Sequence, residues 1–334
     1  MNIKKVCKFF KVPNKVVTIK SRNIIKTLGD FSQPVSSILE YSYYALAKEA
    51  KKNNVEVVLS GEGADEIFFG YDHNLALIGH FNKKFSFLKK KYKFRNKLFK
   101  NSSINNFRKV EDLFIFGGAD IDLEKSRNKI FHKNISKTKS LKKTVSKLIE
   151  KYKLKNPHDV DKISVMLDYH IKVPELFIRR ADTPAMNQGV EIRFPYLNKK
   201  LQDLMYVTPL EYKIDKTLTQ KALLRNVALK IIPKKILFEK MPFGVPGSLS
   251  RYFPKSSTIF KKPAFKKLMY ININNIKKAV LHGSYKKLNF FKKGFLIDMV
   301  NKQKNEKDCF FDNTLWKIWS FAKWYEKNSK KFPN

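Results

Sequence analysis

A short apolar strand, Val55 to Leu59, runs without a spacer into Ser60-Gly61-Glu62-Gly63-Ala64-Asp65-Glu66, and this junction constrains the chain more than any other stretch. Glycines at 61 and 63 allow backbone N–H groups to close on an anion. Glu62, Asp65 and Glu66 put carboxylate oxygens in the same turn, suited to a hard divalent cation or to proton handling. A turn of this make-up holds phosphates and a metal ion, which points to an ATP-using enzyme. The plainer reading is a tight strand-to-helix turn in which Glu62 and Asp65 only favour the positive end of the next helix. That effect is worth less than about 2 kcal/mol.

The elements around the turn set its context. Ser37-Ile38-Leu39-Glu40 is a capping box, and Leu39, Tyr43, Leu46, Ala47 and Ala50 follow at helical spacing until Asn53-Asn54 end the element. Helix, short strand and functional turn at the strand's carboxyl end is the order of an open parallel α/β sheet, in which ligands sit beyond the strand ends. Val16 to Ile19 is an earlier strand candidate. From His80 to about Lys155 the chain is Lys-rich and reads as helix broken at Gly117-Gly118. Apolar spacing becomes denser from Asp161 to Met205, and Leu315 to Trp324 would let a helix bury Trp316, Ile318 and Trp319. The expected organisation is an α/β nucleotide-binding portion over 1–80, a helical connecting region over 81–155 and an all-helical portion over 156–330. No internal repeat is visible.

Composition excludes several classes. With 334 residues and 43% hydrophobic residues, the chain can bury a true core. Cys7 and Cys309 form no CxxC, and the six histidines show no HExxH pairing, which argues against zinc sites and disulfide frameworks. Lys8 and Lys11 interrupt the apolar residues from Val6 to Val12, and no later run is long enough to span a bilayer, so a soluble cytoplasmic protein is expected. The net charge of +40 would ordinarily point to nucleic acid. Abundant Lys, Asn, Ile and Phe also follow from an AT-rich coding bias, however, and runs such as Lys89 to Lys93 read as solvated helix faces. With no nucleic-acid motif present, the compositional account is preferred.

The motif Ser60-Gly61-Glu62-Gly63-Ala64-Asp65-Glu66, followed by Phe69-Gly70-Tyr71, resembles the signature of the synthetase domain of glutamine-dependent asparagine synthetases. The resemblance continues in order through Asp168, Arg180-Ala181-Asp182 and Met186 to Gly189-Val190-Glu191-Ile192-Arg193-Phe194-Pro195-Tyr196-Leu197, similar to the family's E-x-R-x-P-x-L-D segment. Lys221-Ala222-Leu223-Leu224-Arg225 is similar to its K-x-L-L-R helix, and Lys240-Met241-Pro242-Phe243-Gly244-Val245-Pro246 to its K-x-G-F-G-V-P loop. Leu315-Trp316 and Trp324 resemble its terminal helix. Three positions depart from the pattern: Phe69 and Pro242 replace glycines, and Asn198 replaces an aspartate.

The resemblance implies a partial Rossmann-like parallel sheet, followed by a mostly helical half, that performs ATP-dependent amidation. Aspartate's side-chain carboxylate would attack the α-phosphate of ATP, and ammonia would then displace AMP. Ser60, Gly61 and Gly63 would touch the nucleotide, and Asp65 would be a Mg²⁺ ligand. Lys240 would reach the β- and γ-phosphates, while Glu62 would take a proton from the attacking nitrogen. Asp182, Glu191 and Arg193 would orient substrate or form a buried structural ion pair. Family members also carry an S-G-G-x-D-S pyrophosphate loop upstream, and two-domain members an N-terminal cysteine nucleophile. This sequence has neither, its second residue being Asn. The expectation is therefore that a partner polypeptide supplies the loop, that ammonia comes from a glutaminase outside this chain, and that the isolated chain has negligible activity. Two alternatives stand: amidation of another carboxylate, such as a sugar acid of a surface polysaccharide, or a non-catalytic remnant serving as a basic nucleic-acid scaffold.

Overall fold

The computed structural model describes residues 3–19, 21–88, 128–132, 141–154, 159–215, 220–237, 269, 272–303 and 311–331. Two short helices, α1 (Ile3–Phe9) and α2 (Ser21–Thr27), precede α3 (Ile38–Lys52). The Ser37 hydroxyl caps α3 by accepting from the Leu39 N–H at 3.2 Å, and Glu40 reaches back to the N–H groups of Ser36 and Ser37. Both halves of the capping box therefore form, and Asn53 ends the helix. Tyr43, Ala47 and Ala50 turn toward the core, whereas Leu46 from the same apolar stripe faces outward.

After Asn53-Asn54 the chain extends into β1 (Val57–Leu59), somewhat shorter than the expected run from Val55. β1 pairs in parallel with β2 (Glu191–Arg193) in the register Val57↔Glu191, Val58↔Ile192, Leu59↔Arg193. The 156–330 region is therefore not all-helical. Its one buried strand residue, Ile192, is flanked by two exposed charged side chains, a pattern too short to read as a strand without its partner. Residues 12–19, where Val16 to Ile19 looked strand-like, have no regular structure. The molecule is mostly helical with a small parallel sheet, consistent with an α/β class.

Between β1 and β2 the described chain is helical. α4 (Ala64–Ile67) and α5 (Asp72–Phe81) follow the turn, and α6 (Leu141–Lys151) packs with α5 and α7 (Val160–Leu167) through Leu75, Ile78, Val145, Ile149 and Ile163. Most of 81–155 lies outside the described residues. The helix of α7 continues through a π-helical stretch, Asp168–Ile178, into α8 (Arg179–Met186). Pro174 lies inside that stretch and its carbonyl accepts from the Arg179 N–H, five residues on. Proline cannot donate an N–H and its ring crowds the carbonyl four residues back, so a wider turn accommodates it.

α8 packs on α3, and Ala47, Ala181, Ala185, Val190 and Ile192 fill the space beneath β1 and β2. Small alanine side chains permit this close approach. Beyond β2, α9 (Lys199–Val207) and α10 (Ala222–Ala228) bring Met205, Leu223 and Leu224 against Ile67 and Phe68. A separate core gathers α2, α11 (Ile273–His282), α12 (Lys293–Gln303) and α13 (Phe311–Asn328) around Trp316, Ile318 and Trp319. The two indoles meet edge to face with centroids 5.8 Å apart. The expected burial of these three residues is thus observed.

Candidate active site

The site begins where the parallel pairing stops. The Ser60 N–H donates to the Arg193 carbonyl at 2.9 Å, holding the first residue of the turn to β2. At Gly61, space is open where a Cβ would project. Gly63 has φ +94°, a left-handed conformation, and a Cβ there would run into the Leu197 side chain. Both the backbone and its neighbour require glycine at this position. Gly70 closes the segment: a Cβ on it would collide with the Asp65 carboxylate and lie 2.5 Å from Lys221 Cε. The backbone thus folds around the Asp65 side chain at this point.

Each carboxylate of the turn has a different partner. Glu62 is half-buried and its Oε1 accepts from the Tyr43 hydroxyl, which α3 presents from beneath. Burial, then the Glu62 charge, pushes the Tyr43 phenol well above its ordinary range, so Tyr43 is a donor. Asp65 remains partly exposed and faces the Lys221 ammonium at 2.9 Å. Lys221 itself takes a left-handed backbone conformation, φ +51°, at the start of α10. Glu66 points inward, 3% exposed, and accepts from the Tyr71 hydroxyl while its Oε2 is buried with no partner among the described residues. Burial is the main cause that pushes its carboxyl up to about 7, and the charges of Asp168 and Asp65 act in the same direction.

Under Glu66 lies a second buried carboxylate. Asp168 is held by Lys172 and accepts from Asn74 Nδ2 at 3.2 Å. Burial raises its pKa while Lys172 opposes the rise. This Glu66/Tyr71/Asp168/Lys172/Asn74 cluster joins α4, α5 and the π-helical stretch directly behind the turn.

A parallel strand ending in this turn narrows the choice of relatives, and the comparison with known sequences decides it. The sequence profile for asparagine synthase matches residues 2–326. The chain belongs to the asparagine synthase family. Asparagine synthetase [glutamine-hydrolyzing] 1 of Bacillus subtilis is similar to it, with 30% identity over 233 residues, covering 66% of this chain and 35% of that protein. The chain thus spans little more than a third of that relative's length.

Within this family framework the structure gathers Ser60, Gly61, Glu62, Gly63 and Asp65 into one turn, while Lys240 lies outside the described residues. Glu191 and Arg193 do form an ion pair, at 2.8 Å, but on the exposed surface of β2, not in a buried position. Such a pair contributes little to stability. Sequence reasoning missed Tyr43, Lys221 and the partners of Asp168. Tyr43 was legible only as a core-facing helix position, and Lys221 only as one residue of a family motif.

Of the turn's carboxylates, Asp65 is the partly exposed one whose partner is a surface-accessible ammonium. Among the described residues no cluster of three or more His, Cys, Asp or Glu could hold a metal. Magnesium at phosphates commonly takes one or two carboxylates and fills its remaining positions with water and phosphate oxygens. Asp65, partly exposed, could supply one such carboxylate, and its oxygen would then exchange the Lys221 ammonium for the metal ion. No described helix is long and apolar enough to cross a membrane.

Proposed function

We propose that this chain carries the synthetase site of an ATP-dependent amide ligase that converts aspartate to asparagine. The observation that carries the reading is the Gly61-Glu62-Gly63 turn at the carboxyl end of β1, in a chain matched by the asparagine synthase profile over 2–326. The acceptor carboxylate attacks the α-phosphate of ATP, forming a mixed acyl-phosphate anhydride and releasing pyrophosphate. Ammonia then attacks the acyl carbon, the C–O bond to AMP breaks, and one nitrogen proton leaves to a base. Adenylation is needed because a free carboxylate offers ammonia no leaving group.

The chain's own residues divide that work. Ser60 and Gly61 lie against the nucleotide, Gly61 because nothing there obstructs close backbone approach. Glu62, fixed by the Tyr43 hydroxyl, accepts the proton from the attacking nitrogen. Asp65 would hold a Mg²⁺ ion, which would supply positive charge at the departing pyrophosphate. Lys240 adds a point charge at the β- and γ-phosphates.

The rest of the nucleotide cavity is proposed to come from a partner polypeptide carrying the pyrophosphate loop, with ammonia from a glutaminase, in the cytoplasm. Leu59, 73% exposed on a strand type usually covered on both faces, supports only the packing of further structure beside β1. Completion of the sheet would give the Rossmann-like architecture.

The test is aspartate-dependent ATP–pyrophosphate exchange alongside asparagine formation, with and without the partner. Glu62→Gln is expected to keep exchange and to lose amide formation by roughly 10²–10⁴-fold, the usual worth of a positioned base. Full exchange by the isolated chain would overturn the two-polypeptide arrangement. Equal loss of exchange and amide formation in Glu62→Gln would overturn the base assignment.

A further inference from the structure

The segment around α1 plays no part in the ligase site, yet it is built in a definite way. α1 closes in a Schellman motif: the Val12 N–H donates to the Cys7 carbonyl at 2.9 Å and the Lys11 N–H to the Lys8 carbonyl at 3.3 Å, with Lys11 left-handed at φ +52°. Glycine is the usual residue there, so lysine is held against backbone strain. Phe9, Phe10 and Val12 fall together at this end of the helix, 44%, 41% and 50% exposed, and Val16 beyond them is 71% exposed. The two rings meet edge to face with centroids 4.9 Å apart. None of the four side chains joins an apolar cluster among the described residues. Further along, Lys15 pairs with Glu49 at 2.5 Å and donates to Asn53 Oδ1 at 3.4 Å, which fastens the base of the segment to the end of α3.

The chemistry of this tip selects its occupant. Lys4, Lys8 and Lys11 are exposed in the same segment, and no acidic residue precedes Asp30, so the occupant is anionic. A second copy is disfavoured, because two chains of net charge +40 repel each other. Single-stranded nucleic acid binds by stacking bases on aromatic rings, and Val12 and Val16 have no π face to offer. The boundary between lipid headgroups and acyl chains takes aliphatic and aromatic side chains alike, and anionic headgroups attract lysine.

We propose that residues 4–16 dock the protein on an anionic membrane surface. Phe9, Phe10 and Val12 enter the boundary beneath the headgroups, and Lys4, Lys8 and Lys11 lie at the lipid phosphates. Lys15 stays on α3 and orients the tip. The attachment crosses no bilayer, and a segment this short makes it weak, reversible and sensitive to salt. The proposal goes beyond the ligase reading and does not depend on it.

Vesicle co-sedimentation of the full chain tests this, with phosphatidylcholine alone and with phosphatidylcholine mixed with phosphatidylglycerol, at low and high sodium chloride. Wild type is expected to bind the mixed vesicles, to bind phosphatidylcholine about tenfold more weakly, and to be released by salt. Lys4→Gln/Lys8→Gln should weaken binding by about tenfold or more, since one lysine near an anionic surface is worth about fivefold in affinity. Phe9→Ala/Phe10→Ala should weaken it by about tenfold with the charge unchanged. Lys286→Gln/Lys287→Gln removes an exposed basic pair elsewhere on the molecule and should bind as wild type does. All the substituted side chains are exposed, so these variants should keep the wild-type circular dichroism spectrum. No binding to either vesicle, unaltered binding by either tip variant, or an equal loss in the Lys286/Lys287 variant would each overturn the proposal, the last by reducing the effect to net charge. Retention on a single-stranded oligonucleotide that depends on Phe9 and Phe10, without vesicle binding, would overturn it in favour of nucleic acid.

Discussion

Gly63 answers to two constraints at once, and they have different physical origins. Its φ of +94° falls where an L side chain is strained, and the Leu197 side chain occupies the place a Cβ would take. Gly63→Ala therefore combines backbone strain with overpacking, and is expected to destabilise the chain by about 1–3 kcal/mol, read as a lower denaturant midpoint at constant slope. Gly61 is the control, because its Cβ position is open and its φ lies outside the left-handed region. Gly61→Ala should leave stability nearly unchanged and act, if at all, on nucleotide binding. Equal destabilisation by both substitutions would mean that the turn is held by something other than local backbone shape. The two glycines look alike in sequence. Only the neighbour at 197 separates a glycine needed for folding from one left free for a ligand.

Among elements, the join of α4 to the π-helical stretch carries the most unusual electrostatics. Glu66 and Asp168 are both buried, and the Glu66 carboxyl is pushed up from the ordinary carboxylate range to about 7. An acid raised by folding binds its proton more tightly in the folded state. Its contribution is thus complete below the ordinary carboxylate range and is lost as pH climbs through about 7. The shift is worth on the order of 3 kcal/mol across that window. In metal-free buffer the melting temperature is expected to fall between about pH 5 and 8, and Glu66→Gln should flatten this fall. A wild-type profile that rises over the same interval would show that other groups dominate. Burial shifts Asp168 in the same direction, with Lys172 opposing it.

Local signals were legible in the sequence where one segment carried the whole pattern. The Ser37/Glu40 box and the Asn53 stop define α3, and the Trp316, Ile318, Trp319 spacing defines the buried face of α13. Non-local partners were not legible. Ile192 alone cannot announce a strand whose pairing depends on Val58, and Val16 to Ile19 has β-branched residues but no strand pairing. The turn's own residues could be identified, yet Tyr43 and Lys221, which fix Glu62 and Asp65, come from distant segments that only the fold brings near.

Across the whole molecule, the helix closest to the C-terminus helps to build the entry to α3. The Val35 N–H donates to Ser320 Oγ at 3.1 Å in a buried setting, Trp324 Nε1 to the Phe31 carbonyl at 3.0 Å, and Asn328 Nδ2 to the Gly29 carbonyl at 3.0 Å. Lys327 pairs with Asp30. Residues 29–35 lead directly to the Ser37 cap, and α3 in turn carries Tyr43 to Glu62 and Ala47 to the floor of the sheet. α13 is therefore coupled to the Gly61-Glu62-Gly63 turn through one continuous chain of contacts, although it contributes no residue to the turn. Ser320→Ala tests this coupling with a small change of volume. It strands the buried Val35 N–H, at a cost of about 1–3 kcal/mol. Amide exchange should then accelerate over residues 29–40 more than in α7, which packs in a different core. Trp319→Ala is the larger perturbation, expected to cost about 3–5 kcal/mol by opening a cavity in the α13 core. If Ser320→Ala accelerated exchange uniformly across both cores, the cores would open as one cooperative unit. The route from α13 to Glu62 would then be no more direct than any other path through the protein.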